Sequence, residues 1–192
     1  EHYASVQWTT SGDGTFTPST DLATTYTPGA IDLQNGGATL SLEAVAIGPC
    51  LNNVQDTRTL SIQDAPEVFA GVDSIVCENN AYHIADALCE HYSSIEWTSS
   101  GDGNFDDISL QNPLYTPGSI DKQTGSVRLY CTLSPMPPCE DGIVDSLDLQ
   151  IQYLPVVYAG PDTAVCAGQN LQTSLAGVDY AADFYWSTDG DG

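Results

Sequence analysis

Positive charge is almost missing from this chain. Of 192 residues only Arg58, Lys122 and Arg128 are basic, against 26 Asp and Glu, for a formal net charge of −23. A nucleic-acid duplex or an anionic bilayer repels such a surface, which excludes functions that rest on neutralising phosphate. Long apolar runs are missing too: none approaches the roughly 18 residues of a membrane helix, and no signal-peptide pattern opens the sequence. Any targeting segments are expected to lie outside it. No stretch of a dozen residues has a 3.6-residue period, so helices are not expected. Catalytic signatures are equally scarce. His2, His83 and His91 sit in no HExxH or nucleophile-elbow context, no glycine loop carries a lysine, and the cysteines form no CxxC pair. Carboxylate pairs are inevitable among 26 acids and indicate no glycoside chemistry. The chain reads as non-enzymatic.

What is present indicates a folded protein. A hydrophobic fraction of 41% separates the chain from acidic disordered tails, and six cysteines beside many Thr, Gly, Tyr and Asn suit an oxidising, extracellular setting.

The strongest signal is a repeat. Trp8-Thr-Thr-Ser-Gly-Asp-Gly-Thr-Phe16 returns as Trp97-Thr-Ser-Ser-Gly-Asp-Gly-Asn-Phe105 and again from Trp186 to Gly192, each copy 89 residues after the last. The same shift superposes Tyr26-Thr-Pro-Gly29 on Tyr115-Thr-Pro-Gly118, Cys50 on Cys139, Pro66 on Pro155 and Cys77 on Cys166 without a gap. A fixed period of this kind marks a tandem array. Within it, Val127, Leu129, Cys131 and Leu133 alternate with polar residues, as do Leu147, Leu149 and Ile151, which predicts strands with one buried face.

Pro66 and Pro155 read as linkers. The expected organisation is a partial domain over 1–65 that lacks its first strands, a complete domain over 66–155, and a partial domain over 156–192 that lacks its last strands. Seven short strands with turns every 8–12 residues predict an all-β, immunoglobulin-like sandwich, with Trp8, Trp97 and Trp186 as core indoles.

The succession Ala-Gly-x-Asp, Val-Cys, Trp-Thr-x-x-Gly-Asp-Gly-x-Phe, Tyr-Thr-Pro-Gly, a long alternating strand, a loop Cys and a last strand ending in Pro resembles the immunoglobulin-like and PKD-like tandem repeats of large Bacteroidota surface proteins. These include gliding-type adhesins exported by the type IX system. The resemblance implies surface location and a structural role in a filament, stalk or adhesin, and carries no catalytic residues. Its partners would be neighbouring repeats or identical chains. Two other readings stand beside it: a carbohydrate- or surface-binding module, and a fibre subunit whose incomplete ends are completed by strand exchange.

Two sets of residues are candidates for chemistry. Asp13, Asp102 and Asp191 lie between glycines, as turn residues bonded to their own backbone or as calcium ligands. If calcium, Asp13, Asp32 and Asp73 would converge at one domain junction, and Asp102, Asp121 and Asp162 at the next. Among the cysteines, Cys131 lies on a buried face, and a bridge to Cys89 would resemble the inter-sheet disulfide of immunoglobulin domains, although Cys89 is out of phase with Tyr82, Ile84 and Leu88. Cys50, Cys77, Cys139 and Cys166 recur at the period. Topology puts Cys77 and Cys139 at opposite ends of one domain, leaving a staple between domains, partners outside the chain, or a different topology.

Overall fold

The computed structural model describes residues 2–190; Glu1, Asp191 and Gly192, and with them the acid of the third Gly-Asp-Gly motif, lie outside the described residues. The chain forms two units, 1–65 with 136–140, and 66–135 with 141–192.

The first unit contains β1 (Ser5–Thr10), β2 (Thr15–Thr17), β3 (Thr25–Thr27), helix α1 (Ala30–Gln34), β4 (Gly37–Val45) and β5 (Val54–Ser61). Its main sheet has the antiparallel order β1-β4-β5, and β2 pairs with β3.

The second unit contains β6 (Glu67–Phe69), β7 (Ser74–Cys77), β8 (Tyr82–His83), β9 (Leu88–Glu90), β10 (Tyr92–Ser99), β11 (Asn104–Phe105), β12 (Leu114–Thr116), α2 (Ser119–Thr124), β13 (Ser126–Pro135), β14 (Ile143–Gln152), β15 (Val156–Tyr158) and β16 (Gly177–Asp179). One sheet has the order β10-β13-β14-β7; facing it are the β11-β12-β8 sheet and the β6-β9 pair. The opening segment thus serves both sheets. It pairs with β9 through β6, bends at Gly71 (φ 112°), and continues as β7 parallel to the last strand. A first strand that changes sheets, followed by this order, defines an immunoglobulin-like sandwich.

Elements recur at the period. Each element from β1 to β5, shifted by 89, overlaps its counterpart from β10 to β14, and the β15–β16 pair repeats the register of β6–β9, with Val156 opposite Asp179 as Glu67 is opposite Glu90. The fold is therefore one sandwich written repeatedly.

Strand alternation builds the core. Val127, Leu129, Cys131 and Leu133 of β13, Leu147, Leu149 and Ile151 of β14, and Ile95 and Trp97 of β10 are all buried and pack with Ala70, Ile84, Ala87 and Tyr115 of the facing layer. Each fully buried large apolar side chain contributes about 1.5–3 kcal/mol by leaving water.

Three expectations are corrected. Helices are present after all, but α1 and α2 are single turns, shorter than any window in which a 3.6-residue period registers. Among the indoles only Trp97 is a full core residue at 1% exposure; Trp8 is half-buried, and Trp186 is 56% exposed. The phase argument against Cys89 also fails. Leu88 is the outward residue, 62% exposed, whereas Ala87 and Cys89 turn inward to the core.

Truncating the core should show this hierarchy. Leu149→Ala is expected to lower unfolding free energy by about 2–5 kcal/mol, and Ile75→Ala, on the exposed side of β7, by under about 0.5 kcal/mol, in urea denaturation of the whole chain.

Candidate functional site

The repeated motif folds into a reciprocal latch between two carboxylates and the backbone. Helix α2 begins after Gly118, which has no side chain with which to cap the free amides of the first turn. Asp102, from the Gly-Asp-Gly turn, supplies the missing cap: its Oδ1 accepts from the backbone N–H of Ile120 (2.9 Å) and Asp121 (3.2 Å), and its Oδ2 from the Ser119 hydroxyl (3.0 Å). Asp121 returns the interaction. Its Oδ1 accepts from Asp102 N–H (3.2 Å), and its Oδ2 from Gly103 N–H (3.1 Å), Gly118 N–H (3.0 Å) and the Tyr115 hydroxyl (2.6 Å). Asp121 is buried.

The first unit repeats most of these contacts, although its Asp32 Oδ1 is buried without a hydrogen-bond partner. Asp13 accepts from Ile31 and Asp32 N–H at 3.1 and 3.2 Å, while Asp32 Oδ2 accepts from Gly14 N–H (3.1 Å), Gly29 N–H (3.0 Å) and the Tyr26 hydroxyl (2.6 Å). Asp32 is also buried.

The rest of the motif serves this latch. Phe105 lies between Trp97 and Tyr115, with ring centroids at 5.8 and 4.8 Å, and Phe16 lies between Trp8 and Tyr26 at 5.3 and 4.7 Å. Trp97 Nε1 donates to Leu110 O at 3.0 Å, as Trp8 Nε1 does to Asp21 O at 3.1 Å. The glycines are required for clearance rather than for left-handed backbone. A Cβ on Gly101 would fall on Asp121 Oδ1, and one on Gly103 on the Tyr115 hydroxyl.

Electrostatics follow from these donors. The Tyr26 hydroxyl and the Gly29 amide hold the Asp32 carboxyl below its ordinary value of 3.8, and the Ile120 amide does the same for Asp102. Burial, and then the hydrogen bond to Asp121, push Tyr115 up to about 12.

Asp13 with Asp32, and Asp102 with Asp121, converge as the calcium reading expects; N–H and O–H donors meet most of their oxygens, and Asp32 Oδ1 is buried without a hydrogen-bond partner. Asp73 belongs to the second unit, where its Oδ1 accepts from Asp148 N–H at 2.8 Å, and Asp162 is exposed in a segment without regular structure. Among the described residues no three His, Cys, Asp or Glu are gathered as metal ligands.

Other acids act in the same way on backbone amides. Asp145 accepts from Ala70 N–H (2.9 Å) and Asp86 from Val72 N–H (3.0 Å), pinning both sides of the Gly71 bend. Asp145 lies one period after Asp56, a repeat that by itself gives no hint of this use, and Asp86 has no counterpart signal in the sequence. Of the thiols, Cys89 and Cys131 lie with sulfurs 3.9 Å apart across the sandwich, and burial raises both pKa values.

Fold and motif together define an immunoglobulin-like β-sandwich. No protein-family model and no curated protein matches the chain. Among solved structures it is similar to mouse protocadherin-24 EC1-3 (15% identity, 76% of this chain and 58% of that one, TM-score 0.38) and human mucin-like protocadherin EC1-2 (13%, 78% and 85%, 0.37). It is also similar to the extracellular cadherin domains 3-6 of protocadherin gamma B2 (15%, 80% and 43%, 0.38). The chain thus spans less than two thirds of the first and third of these structures.

Two expected outcomes test the latch. Asp121→Ala leaves four donors without their acceptor, the buried Tyr115 hydroxyl among them, and should cost about 3 kcal/mol in chemical denaturation, and Gly101→Ala should likewise destabilise the chain. Stability should be full above about pH 5 and fall as the pH drops through 3.8 towards the lowered values of Asp32 and Asp102. At the alkaline end, the Tyr115 contribution is full below 10 and lost as the pH rises through about 12; melts across the pH range check both limbs.

Proposed function

We propose that this chain is a structural repeat segment of an extracellular filament, stalk or adhesin of a bacterial surface protein. The observation that carries this reading is the latch itself. The acids of the motif repeated at 89 residues accept mainly from backbone amides and a tyrosine hydroxyl of their own unit, which supports a folding role for what the period preserves. A net charge of −23 keeps such segments soluble and mutually repulsive, which suits an element that separates rather than aggregates.

In this reading 66–155 is the complete bead of the array, and a Cys89–Cys131 bridge locks its two sheets together. With 42 residues between the two positions, closure stabilises by on the order of 4 kcal/mol. Pulling single molecules by their ends tests both claims. The reduced chain should release one complete domain of about 30 nm of contour, and the oxidised chain roughly half of that, since the bridge shields the enclosed loop. Saturable binding of a glycan by the intact chain, without a discrete unfolding event, would favour a recognition module instead.

A further inference from the structure

We propose that Cys77 is one half of a covalent staple between successive repeats, its partner being the cysteine that a following repeat carries in the place of Cys139. The inference rests on the structural-repeat reading and deepens it.

The loop cysteine is presented identically in both repeats: Cys139 N–H donates to Met136 O at 3.0 Å, and Cys50 N–H to Ile47 O at 3.1 Å. Within the first unit, Cys139 Sγ lies 3.5 Å from Gln63 O and 3.8 Å from Asp64 O. Gln63 is one period before Gln152. At Gln152 the parallel register sets Cys77 directly opposite, and Gln152 O accepts from Glu78 N–H at 2.9 Å.

Applying the period once brings the loop sulfur of a following repeat against Gln152 O, the carbonyl that already holds the Cys77–Glu78 peptide. Two cysteines then border one carbonyl. As strand neighbours, Cys77 and Gln152 have Cα atoms about 4.8 Å apart, so a loop sulfur held at the Gln152 carbonyl comes within reach of Cys77. Pairing within one repeat is excluded by length. Cys139 adjoins the start of β14 and Cys77 pairs with its end, nine residues on, about 30 Å away.

Closure removes two protons and two electrons from the two thiols as the S–S bond forms. The electrons pass to a disulfide oxidant such as oxidised glutathione, which leaves as two thiols.

The test is the full chain extended by one further period, residues 104–192 repeated after Gly192, oxidised in a glutathione buffer and mapped by non-reducing mass spectrometry. The expected product links Cys77 to the appended copy of Cys139, and Cys77→Ser should leave that copy open to alkylation. A Cys77–Cys139 peptide, or a Cys77 that stays alkylatable in the oxidised chain, overturns the proposal. A short bis-maleimide on the reduced chain gives an independent reading of proximity: a cross-link between these two thiols supports the staple, and its absence counts against it. The readout is independent of glycan binding, so failure of the staple and failure of the structural role are separable.

Discussion

The structure depends on carboxylates that accept hydrogen bonds from the backbone. A chain with 26 acids and three bases cannot neutralise its charge by ion pairing. One bidentate pair, Arg128 with Asp148 at 2.7 Å, joins β13 to β14 on the surface, where such pairs contribute little. The acids instead meet amides that secondary structure leaves unsatisfied: the first turns of α1 and α2, the Gly-Asp-Gly turns, and the bend at Gly71. Each such contact is charge-assisted and directional, and so fixes loop geometry that apolar packing alone leaves loose. The two layers of the sandwich are joined by apolar residues, and its corners are held by aspartates.

This arrangement explains why the motif reads as it does. Trp97, Phe105 and Tyr115 form a path of tilted ring contacts from the core to the latch, and the tyrosine hydroxyl at its end donates to Asp121. Two glycines clear the space in which that carboxylate meets the turn. Every residue type in the motif therefore answers to one buried charge. Removing the charge leaves four donors without acceptors, whereas removing a ring loosens the approach to it.

Much of the fold was legible in the sequence because strand burial has a period of two and the array has a period of 89, so β13, β14 and the core position of Trp97 could be read directly. The pairing of Asp102 with Asp121, and of Asp13 with Asp32, was legible as proximity but not as chemistry. An acid bound to a cation and an acid bound to amides look alike in one dimension, since the distinguishing donors are main-chain atoms common to every residue. The single-turn helices were hidden for a related reason: their caps come from 16 or more residues away in sequence.

The path of the opening segment has a mechanical consequence. Because β7 runs parallel to β14, the first and last strands of the complete domain are neighbours that point the same way. Tension entering at Pro66 and leaving at Pro155 then acts along the strands, and the inter-strand hydrogen bonds from Ser74 to Cys77 are loaded together rather than peeled one by one. An antiparallel pair pulled from the same end would unzip, whereas this pair must shear. A sandwich wired in this way yields only when the whole ladder fails at once.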